Sequence, residues 1–327
     1  MIVLGIWDGH NSSASLIENG RIVAAVNEER FTKRKLEPLF PKNSTKYCLS
    51  HLNLKPKDIE HIAFSTSDFS LTLTRLFPKI KNDYWSVRRH KTNKPKNWEM
   101  DRNILNNTGK IKSNVFFRKV SKYAIKKYLS KLGFDMNKTK LYLVDHHKSH
   151  AASTYFTSGF KKSTAITLDA LGDGYSSTIN KCENGSIKTI TKNKTQGSLG
   201  LFFQEVTSLC GMRVLEDEGK VMALSDYAYK NKNITNKNPL RKLFNINQTK
   251  IRSNFSLNKR YKILNNLLWR NKLENFCYMA QDALEHFSTQ LVGNSVDETG
   301  INDISLAGGI TSNIKMNMKI RQLKKVK

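Results

Sequence analysis

"IVLGIWDGHNSSASLIENGRIVAAVNEE", residues 2–29, and "TAITLDALGDGYSSTINKCENGSIKTIT", residues 164–191, decide the fold when they are set side by side. Each opens with a short apolar run that ends in an aspartate, Asp8 in the first and Asp169 in the second. A turn rich in Gly and Ser follows, then a second strand-like run, "SASLI" or "YSSTIN", and then an Asn-Gly pair. Asn-Gly supplies the positive φ angles of a tight hairpin turn. Asn19-Gly20 and Asn184-Gly185 therefore join strands two and three of two meanders, with "RIVAAVNEE" and "SIKTIT" as the third strands. Asn19 follows Asp8 by eleven residues, and Asn184 follows Asp169 by fifteen. One NG hairpin is commonplace. The same order of strand, aspartate, turn and hairpin met twice points to duplicated halves.

Helical sequence follows each meander, which makes the class α/β with mixed sheets. Two such halves, each with a polar turn after its first strand, suggest the actin-like ATPase (ASKHA) architecture. In it the two turns face each other across a nucleotide cleft, and their backbone N–H groups hold phosphate. The expected division is a first lobe over 1–160, interrupted by a basic, poorly periodic insertion at 78–118, and a second lobe over 161–327. Further elements are legible. "VSKYAIKKYLSKLG", 120–133, reads as a helix stopped by Gly133, and "KLYLVD", 140–145, as a strand. "ENFCYMAQDALEHFSTQLVGN", 274–294, places Phe276, Ala280, Ala283, Phe287 and Leu291 at helical spacing; His286 on it reads as a boundary residue, not a ligand.

Composition bounds the function. Of 327 residues, 39% are hydrophobic, enough for a core and too many for wholesale disorder. Cys48, Cys182, Cys210 and Cys277 show no CxxC spacing, which argues against a zinc ribbon or disulfide framework and for a reducing, cytoplasmic setting. The N-terminus lacks a basic n-region and its apolar run stops at Asp8, as a strand would and a signal peptide would not. No stretch reaches the ~20 apolar residues of a membrane helix. A soluble protein with no membrane partner is expected. Lys and Arg number 55 against 27 acidic residues, a net +28. These lysines are spread among asparagines, as in "KNKNITNKNPLRK", without the arginine–aromatic interleaving that stacks bases. They read as solvated surface, and a nucleic-acid partner is not expected.

"DHHKSHAAS", residues 145–153, is the richest cluster of chemistry. His146 and His150 lie four apart, so on a helix both imidazoles project from one face at the spacing a metal needs. His147 points away, with its i+3 spacing to His150 a minor alternative. Ala151, Ala152 and Ser153 would let the helix pack closely. Two readings stand on these residues alone: a metal site, or a histidine-rich helix start capped by Asp145. Asp169 supplies a third donor, since an actin-like second half would place it in the cleft. Two histidines and one carboxylate with open positions suit a divalent metal, Fe(II) first, with Zn or Mn as alternatives. Asp173, in the same segment, reads as a turn former.

Two glycine turns accompany this group. "TQGSLGLFFQEVTSLCG", 195–211, joins Gly197, Ser198 and Gly200 to a helix, a ready phosphate seat. "SLAGGITSN", 305–313, sets the Gly308–Gly309 pair between a strand and a helix start near Asn313, where a flat adenine or ribose could approach backbone. Each also reads as a plain turn into a helix. "NEERFTKRK", 27–35, places Glu28 and Glu29 before basic residues, either as a solvated edge or as a clamp for a polar substrate or phosphate.

Together these segments resemble the nodulation-type (NodU-like) carbamoyltransferases. The resemblance is carried by "LGIWDGHNSSASLIENGRIVAAVNEERFTKRK", "DHHKSHAAS", "LDALGDG", "GSLGLFFQEVT", "EDEGKVMAL" and "LAGGITSN", in that order from residue 4 to 313. It implies an N-terminal actin-like domain, related to the TsaD-type tRNA-modifying enzymes, followed by a YrdC-like domain. That second domain makes carbamoyl adenylate from carbamoyl phosphate and ATP. The first transfers the carbamoyl group to a hydroxyl of a small molecule such as a sugar or natural product, with Fe(II) beside the adenylate. The resemblance puts the metal ligands at His146, His150 and Asp169. It puts a nucleotide contact at Gly200, a cleft histidine at His10 and a basic residue facing the substrate at Lys35. His10 is the expected catalytic base. The YrdC-like domain and a further acidic ligand have no counterpart up to Lys327, so a fragment or one chain of a split protein is expected, with a separate YrdC-like chain as partner in the second case. The rival readings are a non-catalytic adenine-nucleotide-binding module and a TsaD-like tRNA-modification enzyme.

Overall fold

The computed structural model describes residues 1–66, 69–82, 114–228 and 238–327. Most of the basic insertion expected at 78–118 lies outside the described residues; its last few residues open a helix. The chain divides into two compact units, Met1–Ser149 and His150–Lys327.

The first unit is built on a five-stranded sheet. Its strands are β1 (Ile2–Trp7), β2 (Ser13–Glu18), β3 (Arg21–Asn27), β4 (His61–Ser65) and β5 (Lys140–Val144), in the order β3-β2-β1-β4-β5. The meander β1-β2-β3 is antiparallel, while β4 runs parallel to both β1 and β5. Asn19 and Gly20 take φ of 48° and 81°, the two positive angles of the expected hairpin. Leu4 and Ile6 on β1 and Ile62 and Phe64 on β4 are buried at alternate positions. A one-residue slip would turn each away from the core and forfeit about 1.5–3 kcal/mol per side chain. Helices α1 (Lys42–His51), α2 (Phe69–Leu76) and α3 (Val115–Lys131) accompany the sheet. Helix α3 turns Ile125 and Leu129 into the core, and Gly133 ends it at φ 89°.

Glu28 is buried, against the solvated-edge reading. Its carboxylate accepts from the backbone N–H groups of Asn43 and Ser44 and from both their side chains, at 2.7–3.0 Å. It fastens the N-terminus of α1, where exposed N–H groups and the helix dipole favour an anion.

The second unit repeats the plan. Helix α4 (His146–Thr157) leads into it. Strands β6 (Lys162–Gly172), β7 (Tyr175–Glu183) and β8 (Ser186–Lys194) form an antiparallel meander. Strand β11 (Ile304–Ala307) lies parallel to β6, giving the order β8-β7-β6-β11. Between them come α5 (Leu199–Leu209), α6 (Glu218–Leu224), the hairpin β9 (Phe244–Asn247) and β10 (Lys250–Ser253), α7 (Leu257–Arg270) and α8 (Leu273–Thr299); α9 (Ile314–Arg321) follows β11. Asn184 and Gly185 again have positive φ, 52° and 71°, and so do Asp173 and Gly174, which turn β6 into β7. In both units, then, a meander carries a parallel strand against its first strand. This is the duplicated topology of the actin-like class.

Helix α8 is the spine of the second core: Phe276, Ala280, Ala283, Phe287 and Leu291 are at most 2% exposed. His286 is half-buried, as its place at the edge of that face requires. Arg260 on α7, fully buried, makes two hydrogen bonds to Glu205 on α5, at 2.8 and 2.7 Å. Strands β6 and β7 are buried at successive positions, on both faces, and their buried polar side chains find polar partners. Thr167 meets Thr178 at 2.9 Å, Ser163 meets Ser305 at 3.0 Å, and Thr164 meets Thr299 at 2.6 Å. Asn180 donates to the Ala165 carbonyl, and Asn193 to Ser177 and the Thr249 carbonyl. Among the described residues, no helix is long and apolar enough to cross a membrane.

Candidate metal centre

Helix α4 begins where β5 ends. Asp145 precedes it; its carbonyl accepts from the Ser149 N–H, and its carboxylate accepts from Arg118 at 2.9 Å. One turn separates His146 from His150, as the spacing predicts. Ala151 and Tyr155 bury the opposite side against Ala165 and Cys182 of the sheet, which fixes the helix's rotation. His146 is further held edge-on to Trp7, ring centroids 5.8 Å apart. His147 is buried and is not one of the grouped donors.

Asp169 departs from the sequence reading in one respect. Strand β6 does not end there; it runs on to Gly172. The β6–β7 register jumps from Leu168↔Ser177 to Gly172↔Tyr175, so residues 169–171 form a bulge. Bulges re-aim side chains, and this one delivers the carboxylate to α4. The carboxylate Oδ1 accepts from the Ala170 N–H at 2.7 Å, and Oδ2 lies 3.2 Å from His150 Nε2. One ligand atom each from His146, His150 and Asp169 lie within 4.8 Å of one another, all partly buried.

The donor set fits a divalent cation. Two ligands at right angles, each about 2.1 Å from an ion, are about 3 Å apart, close to the His150–Asp169 separation. Two imidazoles and a carboxylate suit Fe(II), Zn or Mn and leave coordination positions open.

Both glycine turns converge on the same stretch of backbone. Ser198 Oγ donates toward the carbonyls of Ala170, at 2.7 Å, and Asp169, at 3.2 Å, and accepts from the Leu201 N–H as the N-cap of α5. A Cβ on Gly200 would sit 2.6 Å from Ala170 N and Cα, so only glycine lets α5 approach this closely. Gly308, at φ 105°, passes the Leu168 carbonyl so tightly that a Cβ would lie 2.2 Å from its oxygen. At Gly309 a Cβ would stand 3.3 Å from Asp169 Oδ1. Gly197 is buried just before the cap. Asn313 caps α9 through Met316 N–H and exchanges two amide hydrogen bonds with Gln281.

In the first unit His10 is exposed in the turn after β1, its carbonyl accepting from the Trp7 indole at 2.9 Å. Lys35 is exposed as well. Asp8, the counterpart of Asp169 in sequence, is instead a structural anion: Arg75 Nε and Nη2 donate to its carboxylate at 2.7 and 2.8 Å, and Lys81 to its carbonyl. Neither Arg75 nor Gln281 was legible in the sequence, since each meets its partner through a distant element and belongs to no motif.

The topology defines an α/β chain of the actin-like class, and its second half aims a carboxylate at two histidines. The family model described as "Carbamoyltransferase N-terminus" matches residues 2–327, and the chain belongs to that family. An uncharacterized protein of Methanocaldococcus jannaschii is 27% identical over 98% of this chain and 53% of its own length. The nodulation protein NolNO of Sinorhizobium fredii is 26% identical over 95% of this chain and 42% of its own. The chain thus spans about half, or less, of the length of these relatives. Among solved structures, HypF of T. kodakarensis matches with a TM-score of 0.49 at 10% identity, over 98% of this chain and 43% of that one. Component A of (R)-2-hydroxyglutaryl-CoA dehydratase from Acidaminococcus fermentans matches with a TM-score of 0.47 at 12% identity, over 100% and 90%.

Proposed function

We propose that this chain is the transfer lobe of an O-carbamoyltransferase, moving a carbamoyl group from carbamoyl adenylate to a hydroxyl of a small molecule. The observation that carries the reading is the His146–His150–Asp169 donor group, set in a chain of the carbamoyltransferase N-terminal family. His146, His150 and Asp169 would hold Fe(II) or another divalent metal. When bound, such an ion supplies Lewis-acid stabilisation of oxygen charge that develops during acyl-type transfer.

The acceptor oxygen attacks the carbamoyl carbon, the bond from that carbon to the adenylate phosphate oxygen breaks, and AMP leaves with the electron pair. The acceptor's proton goes to a base. His10 is assigned that role, because an imidazole titrates near neutral pH. Lys35 is assigned to the substrate, and the turns at Gly197–Gly200 and Gly308–Asn313 to the adenylate. Carbamoyl adenylate, made from carbamoyl phosphate and ATP, would come from a YrdC-like domain in the same or a separate chain. The site lies in a reducing, cytoplasmic compartment on this reading.

The test supplies carbamoyl adenylate with Fe(II) to a panel of hydroxylated sugars. Transfer by the wild type, its loss in His150→Ala, and at least a hundredfold fall in His10→Ala are expected. Full transfer by His150→Ala would refute the metal assignment. Full transfer by His10→Ala would remove that residue from the chemistry.

A further inference from the structure

We propose that Ser198 is a positioning residue for the metal carboxylate: its hydroxyl fixes the 169–171 bulge so that Asp169 faces His150. This rests on the metal reading above. Residues 169–171 bulge out of the regular register with β7, so their geometry is set partly by what packs on the bulge. Ser198 Oγ is fully buried, and its single proton is shared between the Ala170 carbonyl, at 2.7 Å, and the Asp169 carbonyl, at 3.2 Å. Its lone pair receives the Leu201 N–H at 3.0 Å, which ties the bulge to the first turn of α5. Gly200 makes the approach sterically feasible, and Gly308 closes on the Leu168 carbonyl from β11. Helix α5 is itself anchored by the buried Arg260, which pairs with the partly buried Glu205. The hydroxyl is therefore a polar fastener between the first turn of α5 and the bulged segment of β6. Groups that orient a metal ligand commonly change affinity 10–100-fold when removed.

The experiment measures Mn(II) binding to the full chain by calorimetry, alongside thermal unfolding without metal. Ser198→Ala is expected to weaken Mn(II) 10–100-fold, and Ser198→Thr, which keeps the hydroxyl, to bind within about threefold of wild type. Ser198→Gly guards against a folding failure, because glycine is nearly neutral at an N-cap; it should show the same loss as alanine. Ser256→Ala removes the N-cap of a different helix, α7, where Ser256 Oγ accepts from the Lys259 N–H. It should lower the melting temperature yet leave Mn(II) affinity unchanged. The positioning role is overturned if Ser198→Gly binds Mn(II) like wild type while His150→Ala does not. If His150→Ala also binds like wild type, the metal reading falls and the positioning role with it.

Discussion

Asp8 follows β1 and Asp169 opens the bulge of β6, at matching places in two similar meanders, yet their carboxylates meet opposite surroundings. Asp8 is 6% exposed and gripped by the Arg75 guanidinium. Burial pushes its pKa up, but the charge and hydrogen bonds of Arg75, with help from Lys81, hold it below the ordinary value of 3.8. The sign follows from linkage. Stability from this group is fully present above the unfolded pKa and is lost as pH falls through the lower folded value. Arg75→Met strands a buried carboxylate and should cost about 3–5 kcal/mol in urea unfolding at neutral pH; the gap from wild type should narrow in acid. Sequence could match the two aspartates to each other, but not separate their roles, because Arg75 arrives from a helix 67 residues away. The cysteines divide in a similar way. Cys277 hydrogen-bonds to half-exposed Cys210 across 3.9 Å, which lowers the Cys210 pKa and raises its own, while burial pushes Cys48 up to about 11. Iodoacetamide at mildly alkaline pH should modify Cys210 first, and peptide mass mapping of Cys210→Ser should lack that fast phase.

Among the elements, turns were the most legible because their chemistry is contained in two adjacent residues. Asn19-Gly20 and Asn184-Gly185 have the φ signs that Asn-Gly announces. The β6 bulge was not legible: "LDALGDG" reads as a strand stopping at an aspartate, and the irregularity exists only relative to β7. Glu28 was missed for the same reason, since the helix end it holds lies fifteen residues further on. Two glycines should respond differently to a methyl group. Gly185→Ala meets open space and should cost about 1 kcal/mol, from the positive φ alone. Gly308→Ala adds a Cβ 2.2 Å from the Leu168 oxygen and should displace β11 or prevent its pairing. Chemical denaturation of the two variants side by side checks the contrast; equal, small losses would contradict the packing described.

At the scale of the whole molecule, duplication was legible because both copies kept the order of strand, aspartate, turn and hairpin. Spatial strand order was not written in that pattern, and it agrees between the units: β3-β2-β1-β4 in one and β8-β7-β6-β11 in the other. A ligand that binds only the folded form raises stability by mass action. Mn(II) at a hundredfold excess over its Kd should stabilise the chain by about 2.7 kcal/mol, and His150→Ala should lose that increment in a thermal shift series. The hydroxyl and amide pairs inside the second sheet bear on variation over longer times. With both faces covered, alternation of apolar and polar residues says little about alignment, whereas Thr167–Thr178 and Ser163–Ser305 match in one register only. Replacing Ser163 or Ser305 alone by an aliphatic residue takes away the hydrogen bond that joins them, which costs more than replacing both. Across the family Ser163 and Ser305 should therefore mutate as a couple, so that aligned relatives carry a record of the sheet's alignment that no single sequence displays.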